Sequence, residues 1–263
     1  MTTIAILGAA GRMGQMLIRC AARLPELRVT GVCERAGHPA LGQDAGQIAG
    51  IGALGVSLAD TWPADADVVI DFTFHTAVAA NLDCALARRQ AVVLGTTGLS
   101  DDEKQRVADA AKVIPIVWAP NFSLGVNLLL DLVRRAATVL GPAYDAEIVE
   151  MHHRLKKDAP SGTALGLAEA LAAGRGVDLK AVATYGREGI VGERPRGEIG
   201  IHAVRGGDVV GDHTVLFATD GERVELTHKA TSREAFANGA LHAALWLRSK
   251  PAGLYSMRDV LGL

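Results

Sequence analysis

The segment Thr3-Ile-Ala-Ile-Leu-Gly-Ala-Ala-Gly-Arg-Met-Gly14 decides the fold of this chain. Its first five residues form a continuously apolar run, which is typical of a strand buried in a parallel sheet. Glycines follow at positions 8, 11 and 14, and a helical pattern of apolar residues then continues until Pro25. The spacing is GxxGxxG rather than the commoner GxGxxG. A strand, a glycine turn and a helix start together form the arrangement in which backbone amides bind a dinucleotide pyrophosphate.

A second strand, predicted at 29–33, leads into Glu34, twenty residues after Gly14. An acid at this distance is expected to accept hydrogen bonds from the adenine ribose of a dinucleotide. Arg35 follows directly, and a cation at this point can pair with a 2′-phosphate. The pair therefore predicts NADH and NADPH as cofactors, and the alternative is a solvated Glu-Arg pair after a strand.

Further strands alternate with helical segments along the first half of the chain. We predict strands at 68–73, 91–94 and 114–118, helices at 77–89 and 101–112, and an edge element at 48–56. This βα repeat predicts a parallel, doubly wound sheet of the Rossmann type. The polar strand ends 71–73, 95–98 and 119–123 then meet at the carboxyl edge of the sheet, where open α/β sheets bind ligands.

A second candidate site is the run Glu150-Met-His-His-Arg-Leu-Lys-Lys-Asp-Ala-Pro-Ser-Gly-Thr163. It follows a strand predicted at 145–153, so alternation sends His152 and His153 to opposite faces unless the strand breaks there. Ser161 is a good helix N-cap, and the amides of the next two residues are expected to face outward and bind an anion. With its neighbouring cations, the run predicts a site for a small substrate with carboxylates. The alternative is an ordinary exposed basic turn.

The pattern changes after a long helix predicted at 124–140. Strands predicted at 199–204, 209–217 and 223–228 have no helices between them. They indicate an antiparallel or mixed sheet, and therefore a second domain of α+β architecture. A last helix, predicted at 233–247, could pack on either domain.

Composition limits the functions that this chain can have. Its 263 residues carry a formal net charge of −2, which argues against broad nucleic-acid binding. No apolar run approaches the length of a membrane span, and no basic segment precedes the first strand, so we expect no signal peptide and a cytoplasmic protein. The three cysteines, Cys20, Cys33 and Cys84, lack metal-ligand spacing, and we expect no metal site.

Taken together, the motifs resemble the dihydrodipicolinate reductase family. Its members reduce hydroxy-tetrahydrodipicolinate with NADH or NADPH in the diaminopimelate route to lysine. HHxxKxDAPSGTA, at 152–164, is a highly specific motif. The matching segments cover nearly the whole chain: GAAGRMG at 8–14, ER at 34–35, DFT at 71–73, GTTG at 95–98, APNFSLGVN at 119–127, EMHHRLKKDAPSGTAL at 150–165, GDVVGDHTVLF at 207–217, ELTHKATSREAFANGAL at 225–241 and MRDVL at 257–261.

The resemblance implies roles for individual residues. It implies acid–base catalysis by His152 with Lys156 as proton donor. Substrate carboxylates are expected to bind at His153, Gly162 and Thr163. The cofactor is expected to contact Gly8, Ala9, Ala10, Gly11, Arg12, Met13, Glu34, Arg35, Gly95, Thr96, Thr97, Ala119, Pro120, Asn121 and Phe122.

The resemblance also implies how the chain is organised. It implies a dinucleotide-binding domain at 1–123, completed by the C-terminal segment 233–263. Residues 124–232 are then a domain that binds substrate and forms a homotetramer through its sheet. The expected activity is NAD(P)H-dependent reduction of 4-hydroxy-tetrahydrodipicolinate to tetrahydrodipicolinate.

Two other functions are weighed against this one. A semialdehyde dehydrogenase of amino-acid biosynthesis would need a cysteine nucleophile beside the nicotinamide. Cys20 and Cys84 fall in predicted helices and Cys33 at the adenosine end, so this alternative fails. A nucleotide-sensing protein without turnover would lack the acid and the anion site, and both are present.

Overall fold

The computed structural model describes every residue from Met1 to Leu263, and the chain divides into two compact units. The first unit comprises Met1–Leu124 and Arg233–Gly262, and the second comprises Gly125–Ser232 with the terminal Leu263. Each unit has a sheet and a hydrophobic core of its own. No helix combines the length and the apolar character that crossing a membrane requires.

The strands and helices are numbered in chain order. The strands are β1 (Thr2–Leu7), β2 (Leu27–Cys33), β3 (Leu58–Ala59), β4 (Val68–Asp71), β5 (Ala91–Leu94), β6 (Pro115–Trp118), β7 (Asp145–His152), β8 (Ala183–Tyr185), β9 (Ile199–Arg205), β10 (Gly211–Thr219), β11 (Glu222–Ala230) and β12 (Gly253–Tyr255). The helices are α1 (Arg12–Ala21), α2 (Ala45–Ala49), α3 (His75–Arg88), α4 (Asp101–Ala110), α5 (Leu124–Leu140), α6 (Gly162–Arg175), α7 (Leu179–Val182), α8 (Glu234–Leu247) and α9 (Met257–Leu261).

The first unit is built on a seven-stranded sheet in the order β12-β6-β5-β4-β1-β2-β3. Every pair in it is parallel. The predicted parallel, doubly wound sheet is therefore confirmed. The chain order reverses between β1 and β4, which pair directly. Open α/β sheets bind ligands at the carboxyl edge beside such a reversal.

Helix α8 packs on the first unit and completes its core. Ala237, Ala240, Leu241, Ala244 and Leu247 are all fully buried, and the helix contacts α1 and the central strands β4, β5 and β6. Its small side chains allow the helix to approach the sheet closely. This tight packing increases the dispersion contacts between the helix and the sheet. The predicted last helix therefore belongs to this unit.

The predicted edge element at 48–56 is wrong. The segment begins inside α2, and the edge strand is β3, which starts two residues further on. Asp44 explains the difference, because its carboxylate accepts hydrogen bonds from the amides of Gly46 and Gln47 at the start of α2. The same carboxylate accepts from the amides at positions 54, 55 and 56. Side-chain capping therefore takes up amides that a strand would have used in a ladder.

The second unit has a five-stranded mixed sheet in the order β11-β10-β7-β9-β8. β10 runs antiparallel to β7 and β11, whereas β9 runs parallel to β7 and β8. The predicted antiparallel or mixed sheet is confirmed. α5 and α6 supply apolar residues to the core beside β7, β9 and β10. On the outward face of the sheet Val149 and Val204 stay 37% and 43% exposed.

Candidate active site

The glycine turn after β1 has a geometry that side chains would disturb. Gly8 has a φ of +68°, and the amide of Gly11 donates to the carbonyl of Gly8 over 3.0 Å. A side chain on Gly14 would place its Cβ 2.4 Å from the same carbonyl oxygen. Gly11 is the N-cap of α1 and has no side chain to cap the first amides of the helix. The turn therefore fits a pyrophosphate, which binds to backbone donors at a helix start.

The glycine turn is fixed to the end of β2. The amide of Ala9 donates to the carbonyl of Cys33 over 3.1 Å, and the amide of Glu34 donates to the carbonyl of Ala59 over 2.9 Å. The Glu34 carboxylate accepts from the amide of Arg35 over 3.1 Å. The structure thus brings the glycine turn and the predicted ribose-binding pair side by side, with Arg35 exposed.

Asp71, the last residue of β4, organises the neighbouring turns. Its buried carboxylate accepts from the amide and the hydroxyl of Thr73 over 2.8 and 2.6 Å, and from the side chain of Asn81 over 2.8 Å. Its carbonyl accepts from the amide of Gly95 over 2.8 Å, and the hydroxyl of Thr96 donates to the carbonyl of Thr73 over 3.2 Å. The DFT and GTT turns therefore form one hydrogen-bonded unit.

A cleft of about 440 Å³ opens beside the predicted nicotinamide segments. It is lined by Thr96, Thr97, Gly98, Leu99, Lys104, Trp118 and Pro120. The amide of Ala119 donates to the carbonyl of Leu94 over 3.3 Å, which ties this segment to β5. Phe122 is 2% exposed and packs on Phe72 with ring centres 5.5 Å apart. Its ring belongs to the core, so this residue can offer a ligand only its backbone.

In the second unit, the end of β7 and the start of α6 carry the predicted substrate residues. β7 ends at His152, which is buried. His153 lies beyond the strand, where its amide donates to the carbonyl of Val209 over 2.7 Å and its Nδ1 is buried without a partner. Ser161 is the N-cap, as predicted, and its hydroxyl accepts from the amide of Ala164 over 3.1 Å. Space is open around Gly162, because a Cβ there would meet no atom within 4 Å.

Lys156 lies in the loop between these two elements. Its amide donates to the carbonyl of His153 over 3.1 Å, and its Nζ lies 2.9 Å from Oδ2 of Asp158. The lysine side chain is 20% exposed, whereas that of Asp158 is 63% exposed. The backbone of the basic run therefore turns between His153 and Lys156, and the exposed carboxylate of Asp158 lies beside the lysine.

Glu150 forms the buried centre of this site and is 0% exposed. One of its oxygens lies 2.5 Å from Nδ1 of His152. The carboxylate also accepts from two nitrogens of Arg205 over 2.8 and 2.9 Å and from the amide of Ser161 over 3.0 Å. Burial alone would raise the pKa of Glu150, but these donors outweigh burial and hold the pKa below its ordinary value.

Strand register brings the distant members of this cluster together. The parallel pair places Arg205 of β9 opposite His152, and the antiparallel pair places His213 of β10 opposite Glu150. Nε2 of His213 lies 3.1 Å from the hydroxyl of Ser161, and its ring meets that of His152 edge-on with centres 5.1 Å apart. Burial, followed by the neighbouring His152, lowers the pKa of His213 to about 4.

Sequence reasoning assigned no role to Glu150, Arg205 or His213. The sequence did indicate that Glu150 belongs to the site, because it precedes His152 by two residues and therefore lies on the same face of the strand. No local pattern indicated Arg205 or His213, because only the register of β9 and β10 places them beside β7.

The cysteines do not supply a nucleophile at the nicotinamide segments. Burial, with Glu34 nearby, raises the pKa of Cys33 to about 11. Burial likewise raises the pKa of Cys20, which lies in α1. Cys84 lies in α3. None of the three residues lines the cleft beside the nicotinamide segments.

Comparison with known proteins gives a consistent result. The models of dihydrodipicolinate reductase match this chain over 2–122 for the N-terminus and over 125–261 for the C-terminus of that family. The 4-hydroxy-tetrahydrodipicolinate reductases of Anaeromyxobacter sp. (strain Fw109-5) and Pseudomonas fluorescens (strain SBW25) are each 54% identical to it. They match over 100% of this chain and over 98% and 100% of their own lengths.

A solved structure agrees with the sequence comparison. Dipicolinate-bound dihydrodipicolinate reductase from Paenisporosarcina sp. TG-14 superposes with a TM-score of 0.77 at 25% identity, over 98% of each chain. The fold, the two matched domains and the full-length relatives all point to one assignment: the chain belongs to the dihydrodipicolinate reductase family.

Proposed function

We propose that this protein is an NAD(P)H-dependent reductase that converts 4-hydroxy-tetrahydrodipicolinate to tetrahydrodipicolinate in the diaminopimelate route to lysine. The observation that carries the proposal is the loop from β7 to α6, which combines His152, Lys156 and a helix start in one short segment. Its relatives carry the name of this activity, and the solved relative holds dipicolinate, a dicarboxylate.

We assign cofactor binding to the first unit and substrate binding to the second. The glycine turn offers amides to the pyrophosphate, and Glu34 and Arg35 face the adenine ribose. The turns at 95–97 and 119–122 hold the nicotinamide. Gly162 supports the assignment of the substrate site, because the open space at its backbone leaves room for a carboxylate at the helix start.

Loss of water from the 4-hydroxy substrate gives a conjugated cyclic imine, and reduction of that imine delivers hydride to one carbon and a proton to another. The reduced nicotinamide, when bound, supplies the hydride. Lys156 donates the proton and pairs with a substrate carboxylate, and His152 supports that transfer. His153 and the amides of Gly162 and Thr163 hold carboxylates in place.

Both NADH and NADPH are proposed as cofactors. The Glu34 carboxylate favours a free 2′-hydroxyl, whereas exposed Arg35 can pair with a 2′-phosphate. These preferences oppose each other, so kcat/KM should differ by less than about a hundredfold between the two cofactors. Arg35→Ala should weaken use of NADPH far more than use of NADH. Equal losses in steady-state kinetics with the two cofactors would show that Arg35 does not contact the phosphate.

We also propose a cytoplasmic homotetramer that associates through the sheet of the second unit. The partly exposed valines on the outward face of that sheet support an interface there. Light scattering coupled to gel filtration should give four times the mass of one chain, and a monomer mass would refute the assembly.

The test of the activity is NADPH oxidation by purified protein. The substrate is the freshly made condensation product of pyruvate and aspartate semialdehyde. We expect the absorbance of the reduced nicotinamide of NADPH to fall only when the protein and both precursors are present. Protein that binds NADPH but never oxidises it with this substrate would refute the proposed function.

A further inference from the structure

The carboxylate of Glu150 is saturated with donors. Oε2 is 2.5 Å from Nδ1 of His152 and 2.8 Å from one nitrogen of Arg205. Oε1 accepts from the other nitrogen of Arg205 over 2.9 Å and from the amide of Ser161 over 3.0 Å. Two donors on each oxygen, with no exposed surface, leave no capacity for a substrate. Any effect of Glu150 on the reaction must therefore pass through the groups that it holds.

We propose that Glu150 is a positioning residue that holds the His152 ring in the tautomer protonated at Nδ1, so that Nε2 alone exchanges a proton during the reaction. This inference rests on the proposed function. An ionised carboxylate only accepts hydrogen bonds, so the ring nitrogen 2.5 Å away must carry a hydrogen. While Nε2 gives or takes a proton, Nδ1–H stays on Glu150, as in other histidines oriented by a buried acid.

The opposite edge of the ring lies beside a glycine. A Cβ on Gly211 of β10 would lie 2.9 Å from Nε2 of His152 and 3.4 Å from its Cδ2. The shorter distance is closer than real Cβ atoms approach, so any larger residue would displace the ring. The sequence thus provides an acceptor for Nδ1 on one side and a residue without a side chain beside Nε2 on the other.

Arg205 sets how strongly Glu150 attracts the ring proton. Its guanidinium stays charged at all relevant pH values and binds both carboxylate oxygens. The bonds from Arg205 help to hold the pKa of Glu150 below its ordinary value, so the carboxylate stays ionised and accepts from the ring. The other titratable groups near this centre are His213 from β10, His228 from β11, and Lys156 and Asp158 from the loop.

The test is ¹⁵N NMR of the His152 ring together with measurements of kcat. In wild-type protein the neutral ring is expected to show a protonated Nδ1 and an acceptor Nε2. Glu150→Gln should lose this single tautomer, because its amide can donate to Nδ1, and should lower kcat by about 10²–10⁴. NADPH binding should not change. Arg205→Gln should keep the tautomer.

A third variant keeps every charge in place. Because a buried cation without its partner destabilises the fold, Glu150→Gln is complemented by Gly211→Ala, which displaces only the ring. Gly211→Ala should lower kcat by at least about tenfold. Gly206→Ala is the matched control, because its Cβ would crowd only the terminal methyl of Met151 at 3.1 Å. That control should retain the wild-type kcat.

A wild-type ring protonated at Nε2 would overturn the proposal. So would a Glu150→Gln variant with the wild-type tautomer and kcat, or equal kcat in Gly211→Ala and Gly206→Ala. The tautomer is measured without turnover. A wild-type protein that shows the expected tautomer but no NADPH oxidation would refute the proposed function alone.

Discussion

The glycine turn of the first unit and the Glu150 cluster of the second unit are built in different ways. The turn is a local structure of seven consecutive residues, 8–14, and it offers backbone amides. The cluster is made of side chains from β7, β9 and β10 and from the start of α6. Its hydrogen bonds between Glu150 and Arg205 join residues 55 positions apart in the chain.

The two regions therefore depend on different properties of the sequence. The turn depends on the absence of side chains, because backbone atoms approach each other closely there. The cluster depends on strand register, because a slip of one residue would send Arg205 or His213 to the other face of the sheet. Substitutions should reveal this difference as steric effects in the first unit and electrostatic effects in the second.

The largest expected effect is on proton donation in the second unit. Lys156→Ala should lower kcat by about 10²–10⁴, the usual contribution of a positioned acid. NADPH affinity should hardly change, because the predicted cofactor residues belong to the first unit. His153→Ala is the comparison variant and should act mainly through KM, since its proposed role is anion binding. Near-normal kcat in both Lys156→Ala and His152→Ala would instead indicate a proton taken from water.

The next effect is the pH dependence of stability caused by His213. Its folded pKa of about 4 lies below the ordinary value of 6.5, so between these pH values the unfolded chain binds a proton that the native state does not. Stability should therefore fall by about 3 kcal/mol as the pH drops from 7 to 4. The His213→Gln variant should lack this contribution. The His242→Gln variant, in which an exposed histidine is replaced, should retain it. Chemical denaturation of the three proteins across this pH range measures the difference, and parallel curves would contradict it.

Much of the fold could be predicted because apolar periodicity and glycine turns are local signals. The helix predicted at 124–140 has those bounds in the structure, and Ser161 caps α6 as expected. The short strands β3, β8 and β12 were missed, since two or three residues carry no periodicity. Arg205 and His213 were missed for a different reason, because their partners are set by register across the sheet.

A smaller effect is expected when a crowded glycine of the first unit and an open glycine of the second unit are each replaced by alanine. In Gly14→Ala the new Cβ meets backbone atoms of Gly8 and Ala9 at 2.4–2.7 Å, which should cost about 1–3 kcal/mol of unfolding free energy. NADPH binding should weaken with it. Gly162→Ala meets no neighbour, so stability should stay within about 0.5 kcal/mol of wild type, while KM for the substrate rises. Thermal unfolding and calorimetric titration with NADPH measure both, and equal destabilisation by the two variants would contradict the comparison.

The central claim is that this chain transfers hydride from a nicotinamide to a cyclic dicarboxylate. The most direct measurement uses NADPH deuterated at either face of C4, with the product analysed by mass spectrometry. One of the two labelled cofactors should add a single deuterium to tetrahydrodipicolinate, and the other should add none. A product without deuterium from either cofactor, while NADPH is consumed, would contradict direct hydride transfer to this substrate.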